Sequence, residues 1–503
     1  MSAGKLPEEW GYTEIGNVAD VISGGTPKSG VAENFAPSGE GIAWLTPADL
    51  SGYKNKHISR GARDLSKSGY DSCSAKIMPM GSILFSSRAP IGYVAVASNA
   101  IATNQGFKSF VFTPDIYPDY AYYYMRSIKH LAEEMGTGTT FKEISGSSAK
   151  NLPFLIAPFE EQKIIAEKLD TLLAQVDSTK TRLEKIPKIL KRFRQAVLCA
   201  AVFGDLTQEW RSEIKQESIS CLLNEIQSQR EVAKRKKLIK QNFGKHEEIQ
   251  APFNLCIDSW KWVCLDQICE NVNNALKAGP FGSALKKSDC VDSGYKVYGQ
   301  EQVISGKEWL ETYRVTEEKY QQLKSCETKS GDILISLVGT IGKVLILSDN
   351  AESGIINPRL VKITLNKEIV REYVKIFLDS PIAHGFFKGF SHGGTMEILN
   401  LSILRNLPIP LPPITEQHEI VRRVEQLFAY ADTVEKQVNT SLARVNNLTQ
   451  SILAKAFRGE LTTQWREENP DLISGENSAA VLLEKIKAER AASAGKKASR
   501  KKA

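Results

Sequence analysis

Two stretches of the chain carry apolar residues spaced alternately four and three apart, over 33 residues in each stretch. This spacing is the heptad seam of a long amphipathic helix. A helix with a single apolar stripe is unstable alone, so we expect the two helices to pack on each other within the chain. The seam positions are Ile165, Leu169, Leu172, Val176, Thr179, Leu183, Ile186, Leu190, Phe193 and Val197, and then Ile420, Val424, Leu427, Ala431, Val434, Val438, Ser441, Val445, Leu448 and Ile452.

Both predicted helices have recognisable ends. Gly204 and Gly459 follow the last apolar positions, where glycine commonly stops a helix. Pro187 lies inside the first seam and removes one backbone hydrogen bond, at a cost of about 3 kcal/mol. We therefore expect a kink in the first helix and a straighter second helix, where Leu442 is the counterpart of Pro187.

The two seams belong to an internal repeat. Residues 151–211 align with residues 406–466 at a constant offset of 255, and 18 of these 61 positions are identical. Weaker matches continue upstream at an offset of 250 and downstream at an offset of 260. The chain therefore consists of two units of about 250 residues. Residues 467–503 correspond to the segment that precedes the second unit, so joining tail to head would give a cyclic order.

The regions that precede the two seams are alike in plan and different in detail. Residues 1–150 and 256–405 carry short runs of Val, Ile, Phe and Tyr between turns rich in Gly, Asn and Ser, which predicts strands. We expect two mixed α/β domains, each with a strongly bent antiparallel sheet and one helix after the strands. The predicted strands are residues 83–85, 93–97, 108–112, 333–337, 343–347 and 360–365, and the predicted helices are residues 120–135 and 369–388.

The expected fold class is α+β, with an internal pseudo-two-fold repeat. At 503 residues the chain exceeds one ordinary core, which fits several domains. We divide it into a first mixed domain at 1–150, a long helix at 151–211, a helical basic linker at 212–255, a second mixed domain at 256–405, a second long helix at 406–466, and a helical basic tail at 467–503.

Composition places the chain among globular proteins. Hydrophobic residues make up 42% and charged residues 24%, which is ordinary for such proteins. There is no run of 18 apolar residues, so the sequence predicts no membrane span. The eight cysteines form no CxxC pair, and we expect reduced, mostly buried thiols in a cytoplasmic protein.

The net charge of +7 is concentrated at one end of the chain. Residues 484–503 hold eight Lys and Arg against two Glu, and two further basic clusters lie at residues 180–194 and 230–245. Such stripes suit a polyanion. Solvated helix faces and a solubilising tail explain the charge equally well, so charge alone leaves both interpretations open.

Each mixed domain also has Gly-rich loops next to cations, amides and hydroxyl groups. Such loops can offer N–H and hydroxyl donors to phosphates, and Asn and Gln amides can pair with the edge of adenine. A tight turn or an ordinary surface position remains the alternative for each residue. The candidate DNA-binding residues are Gly25, Thr26, Lys28, Arg88, Asn104, Gln105, Thr139, Thr140, Lys142, Lys277, Lys286, Lys287, Gln300, Asn357, Arg359 and Thr395.

No motif places a catalytic constellation. The strings nearest to an adenine-methyltransferase motif, at residues 151–154 and 411–414, lie at the start of the repeat helices and do not fit it. Residues 339–343 look like a phosphate loop, but Leu337 and Val344 replace the required Gly and Ser/Thr. We therefore predict no catalytic residue, no metal site and no directly bound cofactor.

Taken together, these features resemble the specificity subunit of type I restriction–modification enzymes. The resemblance rests on two divergent domains, each followed by a heptad helix that opens with Glu-Gln and ends in Gly-Asp/Glu-Leu-Thr and Trp-Arg. Residues 161–170 and 452–461, the first ten residues and the basic tail look like the type IA, or K, group. The resemblance is strong over residues 151–211 and 406–503, and in the two mixed domains it is one of plan only.

The resemblance implies a non-catalytic, DNA-binding subunit. Its two mixed domains would be target-recognition domains, each reading one half of a split asymmetric site, and an antiparallel coiled coil would set the gap. Two modification subunits, which carry S-adenosylmethionine and methylate adenine, would dock on the helical regions. Restriction subunits, which use ATP and magnesium, would join that complex to translocate and cut DNA.

Two other functions remain open at this point. The chain could be a scaffold whose domains bind proteins, or a stand-alone methyltransferase or nuclease. Recovery of a split sequence motif from bound DNA would distinguish DNA recognition from a protein-binding scaffold. Methyl transfer by the purified chain alone would indicate an enzyme.

Overall fold

The computed structural model describes residues 6–88, 90–138, 142–214, 218–239, 249, 253–389 and 399–500. They form two compact units: unit 1 is Met1–Glu184 with Asn439–Ala503, and unit 2 is Lys185–Val438. The strands are β1 Gly11–Glu14, β2 Ala19–Ser23, β3 Phe35–Pro37, β4 Trp44–Leu45, β5 His57–Ile58, β6 Arg63–Leu65, β7 Ile83–Phe85, β8 Val94–Ala97, β9 Ala102–Thr103, β10 Lys108–Phe112, β11 Pro153–Ile156, β12 Lys261–Cys264, β13 Leu276–Ala278, β14 Cys290–Val291, β15 Tyr295–Tyr298, β16 Arg314–Val315, β17 Glu327–Thr328, β18 Ile333–Ser336, β19 Val344–Ile346, β20 Gly354–Ile356, β21 Leu360–Ile363 and β22 Pro408–Leu411. The helices are α1 Ile15–Val18, α2 Lys67–Asp71, α3 Pro118–Ser127, α4 Lys129–Glu134, α5 Gly146–Lys150, α6 Phe159–Phe203, α7 Gln208–Glu213, α8 Ser220–Arg235, α9 Gln300–Ser305, α10 Glu317–Gln322, α11 Arg371–Leu378, α12 Pro381–Gly389, α13 Leu401–Arg405, α14 Ile414–Ala456, α15 Thr463–Glu468 and α16 Ala479–Arg500.

The central sheets of the two units share a strand order. The order is β2-β10-β7-β8-β5 in unit 1 and β13-β21-β18-β19 in unit 2. The registers correspond as well, since Phe110 pairs with Ile83 in unit 1 and Ile363 pairs with Ile333 in unit 2. The predicted α+β class with an internal repeat is confirmed. The pairs β4–β9, β5–β8 and β15–β20 are parallel, whereas the sequence predicted antiparallel pairing only.

All six predicted strands are present, with ends shifted by at most two residues. The two predicted helices after the strands were wrong in one respect, because each is two helices. Ile128 separates α3 from α4 with φ −97° and ψ 13°, outside the helical region. Pro381 begins α12, where its missing N–H costs nothing because the first turn of a helix has no partner for it.

The two heptad helices are present as α6, of 45 residues, and α14, of 43 residues. Gly204 and Gly459 lie just beyond them with φ of +80° and +77°, the left-handed conformation that stops a helix. The helix α6 continues through Pro187, and the expected kink there stays a prediction. Part of the seam is buried within each unit, for example Ile165 and Leu169 in unit 1 and Ile420 and Val424 in unit 2, whereas Leu448 is 44% exposed.

In unit 1 the start of α6 meets the segment that follows α14. The Glu161 carboxylate is fully buried and accepts the Trp10 indole N–H over 2.8 Å. It also accepts the Thr462 hydroxyl and the Arg466 guanidinium, each over 2.6 Å. The start of one helix therefore lies beside the end of the other, which makes the pair antiparallel.

Unit 2 contains the same junction, built from the other copy of the repeat. Glu416, at the start of α14, accepts Trp260 over 2.8 Å, Thr207 over 2.7 Å and Arg211 over 2.5 Å. Farther along the two helices, Arg194 on α6 forms ion pairs with Asp432 and Glu435 on α14. The antiparallel coiled coil is thus confirmed inside each unit.

The basic linker and the basic tail are helices with equivalent positions. Arg230 on α8 donates to Asn271 over 2.7 Å and to the Cys269 carbonyl over 2.9 Å in unit 2. Arg490 on α16 donates to Asp20 over 2.8 Å in unit 1. The tail thus completes unit 1 as the linker completes unit 2, in agreement with the cyclic order of the repeat. The domain boundaries proposed from the sequence stay predictions.

The eight cysteines are all free thiols. The expectation that most are buried was wrong, because only Cys264, Cys269 and Cys326 are buried, while Cys221 and Cys256 are exposed. These two exposed thiols lie on or beside the linker region rather than in a sheet. Within the described ranges, no helix is long and apolar enough to cross a membrane.

Candidate nucleic-acid interface

Two loops of unit 1 meet where several candidate residues cluster. The loop after β2 packs on the loop between β9 and β10: the Gly25 N–H donates to the last carbonyl of β9 over 2.9 Å, and the Thr26 hydroxyl donates to the Gln105 amide oxygen. A Cβ on Gly24 would lie 1.9 Å from the Asn104 carbonyl oxygen, so only glycine permits this approach. The structure therefore brings together four predicted residues from distant parts of the sequence.

A third and a fourth segment join these loops. The Ser87 N–H donates to the Gly106 carbonyl over 2.7 Å, and the Ser87 carbonyl accepts the Ile144 N–H over 3.0 Å. The chain next to Ser87 carries Arg88, and the chain next to Ile144 carries Lys142. Both predicted cations thus lie on segments that border the first two loops.

This cluster of loops carries a positive excess. Glu143 lies 3.9 Å from the Arg88 guanidinium and 3.4 Å from the Lys108 ammonium. Lys142, next to Glu143 in the sequence, and Lys28, two residues after Thr26, are both exposed. Lys108 is buried, so Arg88, Lys28 and Lys142 are the cations of these loops that can meet phosphate groups, which supply much of the affinity for DNA.

Unit 2 builds a corresponding cluster. A Cβ on Gly279 would lie 1.9 Å from the Asn357 carbonyl oxygen, as at Gly24 in unit 1. The Gln300 amide nitrogen donates to the Val338 carbonyl, and its oxygen accepts the Arg359 guanidinium over 3.4 Å. Gln300, Asn357 and Arg359 are therefore brought together, and their contact with DNA stays a prediction.

The remaining lysines of unit 2 are placed differently. Lys277, predicted in a Gly-rich loop, instead lies within β13 opposite Lys362, because the strand continues up to the residue before Gly279. Lys286 and Lys287 are exposed on the segment that leads into β14. The pKa of Asp289 is held below its usual value, mainly by a hydrogen bond from the Lys286 backbone N–H and next by one from the Lys319 side chain. Thr139, Thr140 and Thr395 lie outside the described residues.

The turns that hold the loops are the same in both units. In unit 1 the Ser86 hydroxyl oxygen accepts the Tyr93 N–H over 2.8 Å, and in unit 2 the Ser336 hydroxyl oxygen accepts the Lys343 N–H over 3.0 Å. The flanking sequences match in part, since Gly-x-Ile-Leu before each serine and Ile-Gly after it occur in both units, at residues 81–84 and 91–92 and at residues 331–334 and 341–342. A common turn is thus kept in two domains that have diverged elsewhere.

The asparagines of the two clusters also have matching roles. The Asn104 amide oxygen accepts the Gly106 N–H over 2.9 Å, and the Asn357 amide oxygen accepts the Arg359 N–H over 2.9 Å. An amide needs both its oxygen and its nitrogen to read adenine in the bidentate manner. These asparagines would have to release a backbone bond to do so, and their contact with bases stays a prediction.

Equivalent positions on this common scaffold carry different residues in the two units. The shared turns set which residues correspond, and the corresponding side chains differ in charge, polarity and shape. The scaffold is therefore kept while the surface that it presents is varied. The corresponding pairs, with the residue of unit 1 first, are Thr26 and Phe281, Gln105 and Pro358, and Arg88 and Val338.

Two residues at these surfaces were missed by the sequence analysis. The Arg63 guanidinium lies 3.7 Å from the Phe35 ring centroid and 5.6 Å from that of Trp44, whose indole N–H donates to the Gly25 carbonyl over 3.1 Å. Arg63 is thus held beside the interface by stacking, which no sequence motif signals. Phe281 is 85% exposed, and its only signal was its place in a Gly-rich loop.

A family model described as the type I restriction modification DNA specificity domain matches this chain over residues 7–188 and 257–444. The chain is 46% identical over 367 residues to the EcoBI specificity subunit of Escherichia coli, covering 73% of this chain and 70% of that one. It is 38% identical over 524 residues to the EcoKI specificity subunit of Escherichia coli strain K12, covering 100% of both. These relatives are all named as specificity subunits of type I restriction enzymes.

Solved structures show the same fold. The crystal structure of the HsdS subunit from Thermoanaerobacter tengcongensis superposes with a TM-score of 0.54 at 17% identity, covering 91% of this chain and 99% of that one. A chain from a study of complex assembly and conformational transition in the type I R-M system gives a TM-score of 0.55 at 17% identity, covering 91% and 100%. The match therefore spans most of the described architecture.

Proposed function

Since the chain belongs to the family of type I restriction–modification specificity subunits, we propose that it reads a bipartite, asymmetric DNA site, one half with each mixed domain. Its role in such a system is DNA sequence recognition, and it is a specificity subunit rather than a catalytic one. The interface loops of unit 1 take one half-site and those of unit 2 take the other.

One observation carries this proposal. The two loop clusters share individual hydrogen bonds, such as those that the Ser86 and Ser336 hydroxyl groups accept from backbone N–H groups, yet carry different side chains at equivalent positions. A common scaffold suits two readers of the same double helix. Different exposed side chains suit two different base sequences, because base edges are read by the side chains that reach the grooves.

The partners follow from the family and from the repeat. DNA and the other subunits of a restriction–modification system are the partners of a specificity subunit. We propose that two modification subunits bind the two copies of the helical repeat, since the junctions at Glu161 and Glu416 are built alike. S-adenosylmethionine, ATP and magnesium then belong to the partners, and the complex works in the cytoplasm, where its thiols stay reduced.

The coiled coil is the element proposed to set the spacer. Helices of 45 and 43 residues are about 65 Å long at 1.5 Å per residue. Two readers on the same face of B-DNA need centres about 34–36 Å apart or a multiple of that. Helices of this length are sufficient for that task.

Exchange of one domain tests the proposal. Residues 1–150 are replaced by the corresponding domain of another specificity subunit, and the complex with modification subunits methylates a genomic DNA library. Sequencing of the methylated sites is expected to show one half-site changed, with the other half and the spacer retained.

The reciprocal exchange of residues 256–405 is the matched control and is expected to change the other half only. A change in both halves after either exchange would contradict modular reading. Recovery of no split motif with the unaltered chain would favour a protein-binding scaffold, and methyl transfer by the chain without modification subunits would indicate an enzyme.

A further inference from the structure

Phe281 stands out among the apolar side chains at the two loop clusters. It is 85% exposed, whereas its counterpart Thr26 is half-buried and donates a hydrogen bond to Gln105. A single exposed apolar residue is common on protein surfaces. Phe281 differs from that common case because its loop packs on Asn357, in the cluster that also holds Gln300 and Arg359.

The backbone that carries the ring is restricted. Gly279 is packed against the Asn357 carbonyl oxygen, Pro280 restricts the backbone before the ring, and Gly282 follows in the left-handed conformation with φ of +58°. An exposed ring on a constrained loop loses little conformational freedom when it meets a partner. The loop is therefore suited to present an apolar group to a ligand.

The surroundings identify the chemistry of that ligand. Asn357, which contacts the loop through Gly279, precedes Arg359, and Arg359 is bonded to Gln300. Guanidinium and amide groups are those that read guanine and adenine in the major groove, where the one apolar feature is the 5-methyl group of thymine. An apolar ring among such groups matches that methyl group.

We propose that Phe281 contacts the 5-methyl group of a thymine in the half-site read by the second domain. This inference rests on the proposed function, since it presumes that the loops of unit 2 face the major groove. The inference assigns a specificity-determining role to Phe281. Its counterpart in the first domain, Thr26, is polar, so the two half-sites would differ in this contact.

The test compares thymine with uracil, which lacks only the methyl group. The recognised site is first mapped by methylation with the complex of this chain and modification subunits. Binding of that complex is then measured by fluorescence anisotropy on duplexes in which each thymine of the second half-site is replaced, one at a time. One replacement is expected to weaken binding by about fourfold, which is the equivalent of about 0.8 kcal/mol for one buried methyl group.

The complex with Phe281→Ala is expected to bind the thymine and uracil duplexes equally at that position, while Phe281→Leu keeps part of the difference. Trp309→Ala is the matched control, because Trp309 is 68% exposed and its neighbour Glu308 bonds to Ser348, at the end of β19 remote from the Ser336 turn. This variant is expected to discriminate as the unaltered chain does.

Equal uracil effects in the unaltered and Phe281→Ala complexes would overturn the inference, and so would a half-site without thymine. A uniform loss of affinity for every duplex with Phe281→Ala would indicate a wedge between bases instead, and would also overturn it. In all these cases the unaltered complex still prefers its mapped site. Loss of that preference itself would be the failure of the proposed function.

Discussion

Replacement of Glu161 by Gln should destabilise unit 1 far more than an exposed glutamate replaced in the same way. The Glu161 carboxylate is fully buried and accepts hydrogen bonds from Trp10, Thr462 and Arg466. Glu161→Gln keeps the shape but removes the charge, which leaves the Arg466 guanidinium, with only 13% of its side chain exposed, without its counter-ion.

The expected size follows from these contacts. Removing one partner of a buried ion pair costs about 3–5 kcal/mol. Arg466 retains its hydrogen bond to the Gly459 carbonyl over 2.8 Å, so the lower end of that range applies. We expect a loss of about 3 kcal/mol in the free energy of unfolding of unit 1. Glu160→Gln is the control, since Glu160 pairs with Lys163 at the surface and should cost about 0.5 kcal/mol or less.

Urea unfolding gives the size of the effect, and hydrogen exchange read by mass spectrometry gives its location. Glu161→Gln should raise exchange in residues 6–20 and 460–490, both in unit 1, and leave residues 260–410 of unit 2 unchanged. Glu416→Gln should produce the reverse pattern. A loss below about 1 kcal/mol, or one equal to that of Glu160→Gln, would refute the argument that the buried carboxylate closes the unit.

Two further predictions concern the helices. Hydrogen bonds, first from Arg422 and then from Arg423, hold the pKa of Glu419 at about 2, below its value in the unfolded chain. The contribution of Glu419 to stability is therefore present above about pH 4.5 and is lost as the pH falls toward 2. On acidification the urea midpoint of unit 2 should fall less in the Glu419→Gln variant than in the unaltered chain, and equal pH slopes of the two midpoints would contradict this. Insertion of one heptad after Asp177 adds about 10 Å to α6 and should lengthen or abolish the spacer of the methylated sites, whereas an unchanged spacer would remove the helix from that role.

The elements that the sequence predicts well are those whose signal is local and periodic. The heptad seams gave α6 and α14, and the glycines at their ends are in the conformation that the pattern required. The break at Ile128 escaped prediction because it is carried by no Pro or Gly. Lys277 was placed in a loop because a Gly-rich string follows it, whereas its strand is fixed by pairing with Lys362, more than 80 residues away.

The candidate interface was predicted in part, for the same physical reason. Residue type alone suggested Gln105 and Gln300, but the partners of their amides lie far along the chain at Thr26, Val338 and Arg359. Glu161 was visible as part of the repeated Glu-Gln string, and its role was not, because its partner Arg466 lies about 300 residues away. Contacts of this kind follow from the topology and leave no periodic trace.

The tail helix α16 has a consequence for the order in which the nascent chain becomes structured on the ribosome. Ala479 and Ile486 belong to the hydrophobic core that also contains Trp10 and Ile15. The domain translated first therefore lacks part of its interior until α16 emerges, whereas every residue of Lys185–Val438 is by then available. Synthesis proceeds from the amino terminus, yet the later domain is the first whose residues are all available, and the earlier one leaves part of its apolar interior uncovered in the meantime.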